Sequence, residues 1–190
     1  MVLNYYKMFN RIFSLFLLIL LSPFFFVISF IILIEDGFPV FFIQRRVGIH
    51  YSFFYIYKFR SMKKNTPNVA SHLLINPDQH LLKIGKFIRK TSLDELPNLI
   101  NIIKGEMVFV GPRPALYNQD DLMALRVSEG IDKLKPGITG WAQINGRDEI
   151  SNEEKVAFEK EYLEKKLFLF DCKIIIKTFT NVLFSKGVSH

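Results

Sequence analysis

Hydrophobic positions are unevenly spread along the 190 residues. From Ile12 to Ile34 the chain runs 23 residues without a charge, interrupted only by Ser14, Ser22, Pro23 and Ser29. A helix of that length is about 35 Å long, enough to cross a bilayer core. A cleaved signal peptide has a shorter apolar region and a small-residue exit. Here the run ends in Glu35-Asp36-Gly37-Phe38-Pro39, so the segment is expected to stay in the protein and to sit in membrane. Pro23 lacks an amide hydrogen and would bend a helix at its middle, with Ser22 placed to satisfy the freed backbone. Two arrangements fit, a kinked spanning helix and a re-entrant one that enters and leaves on the same face. Lys7 and Arg11 precede the run, and Arg45, Arg46, Lys58 and Arg60 follow it, which by the positive-inside rule puts both flanks in the cytoplasm.

Beyond this segment the pattern changes twice. Val40–Ile43 and Phe53–Tyr57 are aromatic and β-branched, which predicts two short strands with a turn over Gln44–His50. Residues 63–80, with Pro67, Asn68, Asn76 and Pro77, read as a polar loop, and Leu81–Arg89 as a short basic helix. From Glu153 the pattern is helical and amphipathic. Leu167–Lys177 is more apolar but too short and too charged to span. It fits a buried core helix or one lying in the membrane interface with Lys173 and Lys177 towards headgroups.

Charge sharpens this picture. Residues 1–90 carry 12 Lys/Arg and 3 Asp/Glu, a balance of +9, whereas residues 91–190 carry 13 and 15, a balance of −2. A basic half suits nucleic acid, anionic lipid or a phosphorylated substrate. The single cysteine, Cys172, excludes an internal disulfide framework and any multi-thiolate zinc site. The four histidines show no ligand spacing.

Three segments concentrate residues that handle phosphate. Lys58-Phe59-Arg60-Ser61-Met62 would put two cations on one side of a strand. Ser92-Leu93-Asp94-Glu95-Leu96-Pro97 reads as a helix start, either a Ser92/Glu95 capping box or a start capped by Asp94, with Pro97 in the first turn. The same carboxylates would also serve as an ionised nucleophile beside a ligand for a hard cation such as Mg²⁺. The third segment comprises Gly111-Pro112-Arg113-Pro114 and Pro136–Arg147. Here two prolines pre-position Arg113, and glycines allow close approach of backbone to a ligand. No Walker loop or dinucleotide fingerprint is present.

Taken in order, four blocks resemble the bacterial sugar transferases, the small monotopic phosphoglycosyl transferases that load polyprenyl phosphate. They are Lys58–Met62, Ser92–Pro97, Gly111–Pro114 and Pro136–Arg147. The resemblance implies a helix-rich α+β monotopic membrane protein. Residues 1–36 would form a re-entrant membrane helix broken at Ser22-Pro23. Residues 37–190 would form a catalytic domain with a small β-hairpin and amphipathic interfacial helices, on the cytoplasmic face of the bacterial inner membrane. It implies transfer of a sugar 1-phosphate from a UDP-sugar to undecaprenyl phosphate with release of UMP, the first membrane step of glycoconjugate synthesis. By the same resemblance Asp94 is the nucleophile, forming an aspartyl-phosphosugar intermediate. Glu95, with Asp94, holds Mg²⁺. Lys58, Arg60, Arg89 and Arg113 handle phosphates, and Thr139, Gln143 and Arg147 belong to the nucleotide pocket. The chain departs from the family pattern at Ser14, where an Asp is common, and at Asn98, where Gln is common. No nucleic acid is expected as a partner, and a homo-oligomer stays open. The rival from another class is a membrane-tethered basic adaptor for anionic lipid or nucleic acid.

Overall fold

A computed structural model describes residues 2–66, 76–146 and 150–183. The chain is α+β and helix-rich. Its elements in order are α1 (Val2–Leu20), α2 (Ser22–Asp36), β1 (Phe41–Val47), β2 (Phe53–Phe59), α3 (Lys83–Lys90), α4 (Asn98–Lys104), β3 (Val108–Val110), α5 (Asp120–Ser128), β4 (Gly137–Thr139), α6 (Trp141–Asn145), α7 (Asn152–Lys165) and α8 (Phe168–Leu183). Arg147 lies outside the described residues, as does the middle half, 67–75, of the loop expected over 63–80.

The long apolar run forms two helices. Met8–Leu20 and Ser22–Asp36 meet at 60°, and among the described residues no single helix is long and apolar enough to cross a membrane. Pro23 falls in the first turn of α2, where no intrahelical donor is required, so the break costs no hydrogen bond. The amides of Leu21 and Phe25 still bond to the carbonyls of Leu17 and Leu21.

α1 is two-faced. Tyr6, Asn10 and Ser14 recur every four residues and so share one side of the helix. Asn10 and Ser14 are buried. Ser14 donates to the Leu99 carbonyl at 3.0 Å, and Asn10 Oδ1 accepts from the Phe109 amide at 3.3 Å. The opposite side, with Ile12, Phe16 and Ile19, is exposed. Thus Ser14 bonds directly to α4.

α2 buries Ile28 and Ile32 against Val40, Phe59, Leu82 and Ile88. Its acidic end grips two elements. Asp36 pairs with Arg60 just past β2, and Glu35 accepts from the Lys83 amide (2.5 Å) at the start of α3, where a carboxylate is favoured.

β1 and β2 pair antiparallel from Phe41↔Phe59 to Val47↔Phe53. The hairpin is longer than the sequence predicts, because Gln44–Val47 continue β1 rather than turn. Their polar side chains are matched at long range: Arg46 donates to the Pro114 carbonyl (3.1 Å), and the Arg45 guanidinium lies 3.8 Å from the centre of the Phe53 ring. The inner face, Phe54 and Ile56, packs on Leu99, Ile102 and Met107. The Asn101 side chain closes the β2 edge, donating to the Tyr55 carbonyl and accepting from the Tyr57 amide.

The two glycine-proline blocks, read from sequence as turns near a ligand, form a parallel pair, β3 with β4. Gly111 donates to Thr139 and Gly137 to Pro112, each at 2.9 Å. A Cβ on Gly137 or Gly140 would run into the Gly111 backbone. These glycines therefore serve strand-to-strand approach rather than ligand approach.

α7 begins at a complete capping box, Ser151 with Glu154. α8 combines the two arrangements open from sequence. Asp171 and Ile174 are buried on one side, while Phe168, Leu169, Ile176 and Phe179 are more than 60% exposed on the other. Lys173 and Lys177 lie over the Trp141 ring. Asp171 accepts hydrogen bonds from Tyr162 (2.8 Å) and from Tyr6, joining α7, α8 and α1.

Candidate active site

After α3 the chain reverses at Ser92, whose φ of 56° is in the left-handed region. One 3₁₀ turn, Leu93–Glu95, follows, and α4 begins only after Pro97. Neither start expected from the sequence forms. The Ser92 side chain makes no capping bond, and Pro97 itself holds the cap position of α4. Leu93 and Leu96 anchor the turn by packing on the α2 cluster, which leaves Asp94 and Glu95 facing the inner side of the hairpin end.

Glu95 collects two cations on one oxygen. Lys58 Nζ, from β2, is 2.6 Å from Oε1, and the Arg113 guanidinium is 3.4 Å from it. Asp94 is 9% exposed. Burial and then the Glu95 charge push its pKa up to about 6, against the opposing fields of Lys58, Arg89 and Arg113. A buried carboxylate set among three cations and titrating near neutrality has the character of a nucleophile or a proton-transfer group.

Arg113 is placed from behind. Arg126 is buried in α5 and donates to the Arg113 carbonyl at 2.9 Å. The same guanidinium makes two bonds, at 2.8 and 2.5 Å, to the buried Glu159 of α7. Sequence reasoning missed this pair, because an arginine on a short helix reads as solvated until its partner, 33 residues away, is known.

The expected site residues divide. Lys58, Arg113, Asp94 and Glu95 come together, and the charge of Arg89 is felt at Asp94. Arg60 does not join them. It is buried against Asp36 and the carbonyls of Asp36 and Gly37, at 3.2 and 2.6 Å for the latter two. Its side chain turns to the end of α2 because β2 finishes at Phe59 and the alternation that would have aligned it with Lys58 stops there. Thr139 and Gln143 line a cleft of about 150 Å³, also bounded by Ser92, Glu95 and Arg113. Thr178 and Asn181 of α8 line it too, and neither was picked out from sequence. The signal was present: Asp171, Ile174, Thr178 and Asn181 recur at spacings of 3, 4 and 3, the inner stripe of a helix. Asn98, almost fully buried, leaves Oδ1 without a partner among the described residues, beside a void of about 10 Å³ shared with Lys58, Glu95 and Arg113.

The donor set fits a hard cation of the Mg²⁺ kind. Asp94 and Glu95 are adjacent carboxylates that would supply oxygen ligands, and among the described residues no cluster of three or more acidic, His or Cys ligands comes together. Mg²⁺ is commonly held in this way, by one or two carboxylates with the shell completed by substrate phosphates and water.

Comparison with known proteins identifies the family. Residues 3–185 match the bacterial sugar transferase family. The chain is 42% identical over 161 residues to the uncharacterized sugar transferase EpsL of Bacillus subtilis, covering 84% of this chain and 78% of that one. It is 35% identical over 199 residues to the undecaprenyl-phosphate galactose phosphotransferase of Salmonella typhimurium, covering 95% of this chain and 41% of the relative. It is 38% identical over 169 residues to the UDP-glucose:undecaprenyl-phosphate glucose-1-phosphate transferase of Escherichia coli, covering 85% and 36%.

Proposed function

The chain belongs to the bacterial sugar transferase family, and on that premise we propose that it moves a sugar 1-phosphate from a UDP-sugar to undecaprenyl phosphate and releases UMP. Relatives named for undecaprenyl-phosphate galactose and glucose transfer support the reaction class. The observation that carries it to this chain is Asp94, buried beside Glu95 in the combined field of Lys58, Arg89 and Arg113.

In this reading the ionised Asp94 attacks the β-phosphorus of the donor. The bond from that phosphorus to the UMP oxygen breaks, and UMP leaves with its electron pair. The sugar 1-phosphate stays on Asp94 as an acyl phosphate. An oxygen of undecaprenyl phosphate then attacks the same phosphorus and the Asp94 carboxylate leaves, giving undecaprenyl-diphosphate-sugar. Dividing the displacement lets a soluble donor and a lipid acceptor use one site in turn. Lys58 and Arg113 hold Glu95 and bring positive charge to the phosphates. Arg60 acts at one remove, tying the end of β2 that carries Lys58 to α2. Asp94 and Glu95 would hold Mg²⁺, which supplies further neutralisation of the diphosphate.

The same reading places the protein at the cytoplasmic face of the inner membrane, with α1 and α2 as a re-entrant anchor and the reaction as the first membrane step of glycoconjugate synthesis. The 60° bend and the exposed apolar sides of α1, α2 and α8 support it. The test is UMP release from UDP-glucose and UDP-galactose by the full chain in lipid nanodiscs with undecaprenyl phosphate and Mg²⁺. Mass spectrometry of a quenched reaction is expected to show a hexose phosphate on the peptide containing Asp94. Undiminished turnover by Asp94→Asn would overturn the assignment.

A further inference from the structure

The cleft beside Glu95 and Arg113 is lined with side-chain oxygens that stand open to a donor. Gln143 donates its amide nitrogen to the Ile138 carbonyl at 3.1 Å. That fixes the amide orientation and leaves Oε1 buried without a partner among the described residues. Thr178 donates its hydroxyl hydrogen to the Ile174 carbonyl one turn back, at 2.8 Å. In the 2.7 Å pair between Thr139 and Thr178 the hydrogen therefore comes from Thr139, whose oxygen keeps its lone pairs. Asn181 turns its nitrogen to the Ile144 carbonyl at 3.4 Å, and its Oδ1 accepts no bond among the described residues. Three side-chain oxygens, from β4, α6 and α8, thus share one cleft and stand open to a ligand's donors.

These open oxygens favour a group rich in hydroxyl or N–H donors, while phosphate and carboxylate, which only accept hydrogen bonds, are better matched by Arg113 at the cleft's edge. The volume of about 150 Å³ holds roughly ten water-sized groups, the scale of one sugar ring. A buried acceptor is kept unpaired by a folded chain where a ligand will pair it.

We propose that this cleft receives a polyhydroxylated ring of the donor substrate, its hydroxyl hydrogens donated to Gln143 Oε1, Thr139 Oγ1 and Asn181 Oδ1, and that α8 thereby contributes to substrate choice. The proposal rests on the function given above. Two rings carry the required chemistry, the transferred hexose and the ribose of the nucleotide. They are distinguished by which hydroxyl couples to which residue.

The experiment is a set of double-mutant cycles on the full chain in nanodiscs, with protein and substrate each altered. Gln143→Met and Asn181→Leu remove the acceptors, and Gln143→Glu keeps an oxygen in place. Each is assayed with UDP-glucose, UDP-hexoses lacking one sugar hydroxyl, and a 2′-deoxyuridine donor. Loss of the paired hydroxyl is expected to lower kcat/KM about tenfold or more in the parent and little further in the matching variant. Coupling confined to hexose hydroxyls assigns the transferred sugar, and coupling to the ribose assigns the nucleotide. Purely additive losses with every analogue would overturn the proposal. If no UDP-sugar turns over at all, the functional reading fails separately. Saturation-transfer NMR with methyl glucoside and uridine then decides the cleft. A transfer signal that is present in the parent and disappears in Gln143→Met upholds the proposal, and no signal in the parent overturns it.

Discussion

The buried guanidinium of Arg126 holds the carbonyl oxygen of Arg113 at 2.9 Å while gripping both oxygens of Glu159. The cation that faces Glu95 is thus fixed through its own backbone, between two prolines, by a residue that does not touch the cleft. Removing one member strands the other charge in the interior. Glu159→Ala is expected to destabilise the protein by about 3–5 kcal/mol, read from thermal melts. The double replacement Arg126→Met with Glu159→Leu should recover most of that loss. Its turnover should stay low, because the Arg113 carbonyl is no longer held. Parent-like turnover in the double variant would show that the Arg126 bond to Arg113 is structural only.

Asp94 has its pKa raised in the folded state, to about 6 from an ordinary value of 3.8. The folded protein therefore binds this proton more tightly than the unfolded chain, and the contribution to stability grows as pH falls from about 7 towards 4. At pH 7.5 the ionised group is a burden of up to about 3 kcal/mol by the size of the shift. Asp94→Asn, which mimics the neutral form, is expected to melt higher than the parent at pH 7.5, with the gap closing near pH 4. Activity should show the opposite trend, rising with pH through about 6 as Asp94 ionises.

Lys58 is the first cation among those drawing the Asp94 pKa down. Lys58→Met removes that field, so the acid limb of the rate profile should move to higher pH. The variant should also lose turnover, since Glu95 gives up the nearer of the two cations on its Oε1. An acid limb that stays in place would separate Lys58 from the Asp94 titration.

Asn10→Leu removes the acceptor for the Phe109 amide and puts an apolar side chain among polar groups. A loss of about 1–3 kcal/mol is expected from the unpaired buried donor, measured by urea or thermal unfolding in detergent. Ile19→Val, on the exposed side of the same helix, should change little.

Much of this was legible in the sequence where local pattern decides structure. The hairpin, the helix before Ser92, the break at Pro23 and the gathering of Lys58, Asp94, Glu95 and Arg113 all follow from short-range signals or ordered blocks. What escaped depends on partners far along the chain. Gln44–Val47 looked like a turn because strand polarity is tolerated only when Pro114, Ala115 and Phe53 are known to receive it. Ser92 looked like a cap, but its left-handed backbone turns the following residues into a 3₁₀ turn. Arg60 looked like a phosphate ligand because Asp36, 24 residues earlier, gives no local sign of reaching it.

The polar stripe of Tyr6, Asn10 and Ser14 has a consequence for exchange between proteins. A plain hydrophobic anchor is interchangeable, and any sequence of suitable length and greasiness can replace it. Here the first helix bonds through its side chains to the backbone of α4 and β3 and to Asp171. Grafting a foreign anchor would orphan the Phe109 amide and uncover α4, immediately behind the Asp94 turn. The bent apolar helices and the candidate site are therefore inherited together, and a chimera that keeps one must keep the other.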